Sequence, residues 1–107
     1  MNIRIFAIAS VTAILTILCA PVHAEGDAAA GKNKTAMCAG CHGIAGFRTA
    51  YPETYHVPKL GGQNAGYIVN ALKAYKAGDR QHPTMKAIAA SLSEQDMADL
   101  AAYYSGK

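Results

Sequence analysis

The residues best suited to chemistry gather in one pentapeptide, Cys38-Ala39-Gly40-Cys41-His42. Two thiols three positions apart lie about one turn apart on a helix, so both present to the same side. A histidine directly after the second thiol adds a nitrogen ligand. In this order the three groups suit covalent attachment of a haem. The thiols add to the two vinyl groups along one porphyrin edge, and the imidazole Nε2 is carried under the plane to bind iron. Competing chemistries fit less well. A thioredoxin-like dithiol follows a strand in a βαβ context, whereas this motif follows a helical stretch. A zinc site needs four ligands, and only Cys38, Cys41 and a scatter of His42, His56 and His82 are available. A structural disulfide here would close a very small loop and gain little entropy.

The elements that must position this motif are helical. Asp27 can cap a helix that starts at Ala28-Ala29-Ala30 and runs through Lys32, Lys34 and Ala36 toward Cys38. Gly31 inside it costs about 1 kcal/mol relative to Ala, which points to a close backbone approach. Residues 43–58 show neither helical nor strand periodicity and contain Gly46, Pro52 and Pro58, so they read as an irregular loop. Residues 64–77 place Ile68, Ala71, Leu72 and Tyr75 on one helical face, and Gly78 is the stop signal. After a turn containing Pro83, the residues Met85, Ile88, Ala89 and Leu92 repeat that spacing. Ser93-Glu94-Gln95-Asp96 reads as a capping box for a last helix with Met97, Leu100, Ala101 and Tyr104 on one face. No segment alternates as a strand does. The prediction is an all-α domain of four or so short helices, with no sheet beyond a stray bridge.

Composition divides the chain at residue 24. Residues 1–24 have a short positive start at Arg4, an uncharged apolar run and small residues at Val22-His23-Ala24, the pattern of a signal peptide cleaved after Ala24. The run is short for a membrane anchor. A lipoprotein reading through Cys19 would want a small residue before it, and Leu18 stands there. Export implies an oxidising compartment, the periplasm. Beyond residue 24 only nine Ile, Leu and Val remain, with one Phe and no Trp. That is a thin supply for a core near the lower size limit of a domain, and it points to a non-peptidic group at the centre of residues 25–107. Nine Lys and Arg face seven Asp and Glu there. This balance gives no electrostatic footprint for nucleic acid.

Together these residues resemble the class I c-type cytochromes, in particular the small single-haem bacterial members. The resemblance spans essentially residues 25–107. Besides the haem motif it rests on Gly31, Pro58-Lys59-Leu60-Gly61-Gly62-Gln63, Tyr75-Lys76-Ala77-Gly78-Asp79-Arg80, Met85, and Asp99-Leu100-Ala101-Ala102-Tyr103-Tyr104, in the family's order. It implies the cytochrome c fold around one covalently attached haem c. Five residues are formal candidates for the second axial ligand: Met37, Met85, Met97, His56 and His82. Met37 precedes Cys38 on the anchoring helix end, and Met97 has the spacing of a core residue. His56 reads as an exposed loop histidine. In the family a methionine after a Pro-containing loop is the distal ligand, which implies His42 and Met85, with His82 as the rival. The resemblance further implies that the Pro58 carbonyl accepts from His42 Nδ1, that Leu60 packs on the haem, and that the first and last helices cross at Gly31 beside Tyr103-Tyr104. Arg48, Lys59 and Arg80 are candidates to sit near the haem propionates, Arg80 foremost.

The function implied is a periplasmic one-electron carrier and not an enzyme. Its partners would be redox proteins meeting the exposed haem edge, with a monomer favoured over a dimer and no stable membrane insertion after cleavage. The alternatives are a haem subunit of a periplasmic dehydrogenase or oxidase, a five-coordinate haem sensor or enzyme, and a haem-free dithiol protein. The loop at residues 43–57, with Phe47, Tyr51 and Tyr55, looks longer and more aromatic than in small relatives. It either covers the haem edge or binds a partner.

Overall fold

The computed structural model describes residues 25–51 and 53–107. The signal peptide expected over residues 1–24 lies outside them. Five helices follow one another: α1 (Ala28–Asn33), α2 (Ala36–His42), α3 (Ala65–Ala77), α4 (Pro83–Ala90) and α5 (Glu94–Ser105). Between α2 and α3, β1 (Arg48–Thr49) and β2 (Tyr55–His56) pair antiparallel, with Arg48 opposite His56 and Thr49 opposite Tyr55. This short ladder is the extent of sheet structure among the described residues, and it gives the loop at residues 43–57 a hairpin shape.

The helix ends follow local chemistry. The Asp27 carboxylate accepts from the amides of Ala29 and Ala30 and starts α1. Asn64 caps α3 by accepting from the Tyr67 amide, and Gly78 closes that helix at φ 88°, a left-handed conformation that glycine adopts without strain. Ser93 and Asp96 exchange both bonds of the capping box at the start of α5, at 3.0 and 2.9 Å. Two boundaries differ from expectation. The first helix is broken at Lys34-Thr35, where the Lys34 amide bonds back to Gly31 and the Thr35 hydroxyl donates to the Lys32 carbonyl. Leu92, expected on α4, follows its end, after Ser91 Oγ donates to the Ile88 carbonyl.

Helices α1 and α5 cross, and α3 packs on both α4 and α5. At the first crossing a Cβ on Gly31 would run into the Asp99 backbone and come within 2.9 Å of Tyr103 Cβ, so the expected close approach is real. Gly26 meets the Ala98 backbone in the same way, a second small-residue position that the sequence did not flag. The crossing is also pinned by polar groups. Asp99, 3 % exposed, accepts from the Asp27 amide at 2.8 Å, from Gln95 at 2.9 Å and from Lys34 Nζ at 2.6 Å. Lys34 also reaches Asp96 at 2.8 Å. This tie explains the break after α1, because Lys34 must turn toward α5 to make it. These bonds, the Asp27 amide foremost, hold the Asp99 carboxyl down at about 2.

The apolar core lies on the other side of α5, where Leu92, Met97 and Leu100 cluster with Cys38, Leu72 and Tyr104 packed against them. Each fully buried Leu or Met there stabilises the fold by roughly 1.5–3 kcal/mol. The core is small, and much of the remaining apolar surface faces a cavity.

Candidate functional site

A cavity of about 640 Å³ opens among α2, α3, α4 and the hairpin loop. That lies within the roughly 300–1,000 Å³ of cofactor-sized pockets. Helix α2 contributes Cys38, Cys41 and His42, the segment after the hairpin contributes Pro58 and Leu60, and α3 contributes Ile68, Leu72 and Tyr75. The turn into α4 adds Arg80, His82 and Met85, and Leu92, Leu100 and Tyr104 continue the wall into the core. Glu53 and Arg80 are the charged side chains among the lining residues. Cys38, Cys41, His42, Pro58, Leu60, Arg80 and Met85 therefore all reach one cavity, although they are scattered from residue 38 to residue 85.

Two of the three histidines that line this cavity, His42 and His82, have opposite hydrogen-bond wiring. His42 Nδ1 lies 2.7 Å from the Pro58 carbonyl oxygen. A carbonyl only accepts, so Nδ1 carries the ring proton and Nε2 keeps its lone pair. His82 Nδ1 instead accepts from the Met85 amide at 3.2 Å, capping α4. Its Nε2 then carries the proton in the neutral ring and has no lone pair to give a metal. Met85, half-buried in the first turn of α4, presents a thioether to the same cavity.

Around Cys38 the wall disfavours charge. Burial pushes the Cys38 thiol up, with an opposing contribution from the Tyr104 hydroxyl. Tyr104 itself is pushed up to about 12, first by burial and then by Cys38. A neutral sulfur suits this place, and a thioether is neutral. Among the described residues, Cys38 and Cys41 form no disulfide.

The other expectations separate cleanly. Met97 is 1 % exposed and belongs to the core cluster, as its helical spacing suggests. Met37 is exposed and lines the cavity beside Cys38. Of the three basic candidates Arg80 alone lines the cavity, with its guanidinium 4.5 Å from the Tyr75 ring centroid, while Arg48 and Lys59 do not. His56 is exposed on β2, as read from the loop, and also borders the cavity. The hairpin loop, whose role the sequence left open, contributes Thr49, Tyr51, Glu53 and Tyr55 to the lining. Gln63, which the sequence named only as the end of the Pro58–Gln63 segment, also lines the cavity, as does Tyr67, which was missed and whose one sequence signal is proximity to that segment.

This donor set fits a covalently bound haem: two thiols one turn apart, an imidazole with a free Nε2, a thioether, and a cofactor-sized, mainly apolar cavity. Among the described residues no three His, Cys, Asp or Glu side chains gather into an all-protein metal cage.

Comparison with known proteins agrees. The family model for cytochrome c matches residues 28–105. Cytochrome c4 of Pseudomonas aeruginosa is 40% identical over 98 residues, covering 91% of this chain and 47% of its own length. Cytochrome c-554(548) of Halomonas halodenitrificans is 44% identical over 85 residues, covering 77% of this chain and 98% of its own length. The crystal structure of reduced cytochrome c4 from Pseudomonas stutzeri superposes with a TM-score of 0.62 at 37% identity, over 77% of this chain and 46% of that one. The chain thus spans about half the length of the cytochrome c4 relatives it matches and nearly all of the shorter cytochrome. With the haem motif on α2, the cavity beside it and these relatives in agreement, the chain belongs to the cytochrome c family, whose members carry covalently bound haem c.

Proposed function

We propose that this protein is an exported one-electron carrier in which Cys38 and Cys41 hold haem c by thioether bonds and His42 and Met85 are its two axial iron ligands. The observation that carries this reading is the opposite wiring of the two histidines. The Pro58 carbonyl orients His42 and leaves its Nε2 lone pair for a metal. The Met85 amide occupies the one acceptor nitrogen of neutral His82, which removes the main rival to the Met85 thioether.

When bound, haem c supplies an iron that changes oxidation state by one electron. The residues around it decide how. With His42 and Met85 both committed, no position is left for a substrate or gas, so the site moves electrons without activating a bound molecule. A thioether is soft and neutral and favours ferrous iron, which sets the potential above that of a bis-histidine site. Ile68, Leu72 and Leu100 exclude water, and Arg80 is the cation available to the propionates.

Met37, Tyr51, Tyr55 and Tyr67 are exposed around the cavity. They suit a small, transient contact with a redox protein partner, below about 1,200 Å². A net charge of +2 on residues 25–107, with the propionates offsetting it, makes electrostatic steering modest. Removal of residues 1–24 as a signal peptide would deliver the domain to the periplasm as a monomer. No helix among the described residues is long and apolar enough to cross a membrane.

The test is spectroscopic. The exported protein should give a c-type haem in denaturing pyridine, and its ferric form should show the weak far-red sulfur-to-iron band. That band should vanish in Met85→Ala. Its survival there would place the sulfur ligand elsewhere, and fast carbon monoxide binding by the ferrous wild type would indicate a five-coordinate iron.

A further inference from the structure

The geometry points to His82 as the positioning residue for Met85, and to Tyr55 of the hairpin loop as the group that holds His82. This inference rests on Met85 being an axial ligand and adds what keeps it in place. Helix α4 starts at Pro83, and its cap is a histidine where Ser, Thr, Asp or Asn is usual. His82 has extended backbone, φ −160° and ψ 106°, and its Nδ1 receives the amide of Met85, the third residue of the helix. The backbone that carries the thioether is thus fixed by the side chain three residues before it.

An asparagine could make that bond, so the cap alone gives no reason for a ring. The ring reaches further. Its centroid lies 5.3 Å from that of Tyr55 at 72°, and 6.4 Å from that of Tyr75 at 78°, both edge-to-face. Arg80 stacks on Tyr75 at 4.5 Å and closes this cluster. Tyr55 stands on β2, where the ladder to β1, the Thr49 hydroxyl bond to the Glu53 carbonyl and the bond from the Val57 amide to the Phe47 carbonyl stiffen the loop. A continuous path then runs from the hairpin through Tyr55 and His82 to the amide of Met85. The hairpin acts as a strap on the turn that bears the ligand, which gives the aromatic residues of this loop a task.

The experiment uses the haem-loaded protein and compares His82→Ala, His82→Asn, Tyr55→Ala and Tyr55→Phe by three readouts: the ferric far-red band, the reduction potential, and the rate of carbon monoxide binding to the ferrous form. His82→Ala should weaken the band, lower the potential and speed carbon monoxide binding by roughly five- to tenfold, as expected when loss of a cap raises the population of an opened first turn. His82→Asn should recover part of this, because it restores the cap without the ring. Tyr55→Ala should act in the same direction with a smaller change, and Tyr55→Phe, which keeps the ring, should restore most of what Tyr55→Ala loses. If His82→Ala and Tyr55→Ala only lower the melting temperature and leave all three readouts at wild-type values, while Met85→Ala abolishes the band, the strap is refuted and the ligand assignment stands. If Met85→Ala leaves the band intact, the ligand assignment and the strap fail together.

Discussion

The wall built by α2 and the wall built by the start of α4 both present an imidazole to the cavity, and the two rings are made chemically different by their Nδ1 partners. His42 faces a backbone carbonyl and is left with a lone pair on Nε2. His82 faces a backbone amide and is left with a proton there. The same side chain is left free to bind a metal in one setting and is a helix cap in the other, and nothing in the ring itself decides which. The difference also has a mutational consequence. The partner of His42 is main chain and survives substitution of Pro58, whereas the bond on the other wall is made by the His82 side chain and is lost with it.

The largest effect should come from removing what both walls enclose. In a Cys38→Ala/Cys41→Ala double variant residues 25–107 should be largely unfolded by far-UV circular dichroism. Among the described residues only Leu92, Met97 and Leu100 form the buried core cluster, and Leu72 and Tyr104 are partly buried against it. A well-folded apo domain would mean that the two walls hold their shape unaided.

A smaller effect should appear with acid, at the α1–α5 crossing away from both rings. The Asp99 carboxyl is lowered from 3.8 to about 2, by the Asp27 amide first and then by Lys34 and Gln95. A depressed carboxyl stabilises the fold above its unfolded value, and that contribution is lost as pH falls from about 4 toward 2. Thermal midpoints should therefore drop across this window, and Asp99→Asn should flatten the drop while lowering the plateau above pH 5. The far-red band at pH 7 should be the same in Asp99→Asn and wild type, since the crossing pins helices and touches neither ligand wall. A changed band would tie the two regions together.

The smallest effect tests the comparison most directly. Pro58→Ala keeps the carbonyl that accepts from His42, so the band and the potential should hold, and the thermal midpoint should fall by the equivalent of about 0.4–1 kcal/mol from added freedom in the unfolded chain. A shifted potential would show that the proline ring, and not its carbonyl alone, orients His42.

Much of this was legible in the residues because it is local. The caps at Asp27 and Ser93 and the stop at Gly78 act within a few positions, and each stands where it was read. Gly31 was legible as an anomaly, a costly residue in a helix, and the resemblance set it beside Tyr103-Tyr104, although its approach to the Asp99 backbone was not legible. The break at Lys34-Thr35 was hidden, because its cause is an ion pair with Asp96 and Asp99 more than sixty positions away. The fate of Leu92 was hidden too, since a helical period continues to match after the helix has ended.

Sequence alone determined the attachment chemistry: two thiols and a histidine within five residues bring their own geometry, because one turn of helix fixes their relative placement. It also determined that a chain so poor in branched aliphatics needs something else at its centre. Only the tertiary structure decided which nitrogen of each histidine is free, that Met97 is core while Met85 faces the cavity, and that the hairpin leans on His82. These depend on groups brought together from distant positions, and a hydrogen-bond partner or a packed ring leaves no mark on the local pattern of residues.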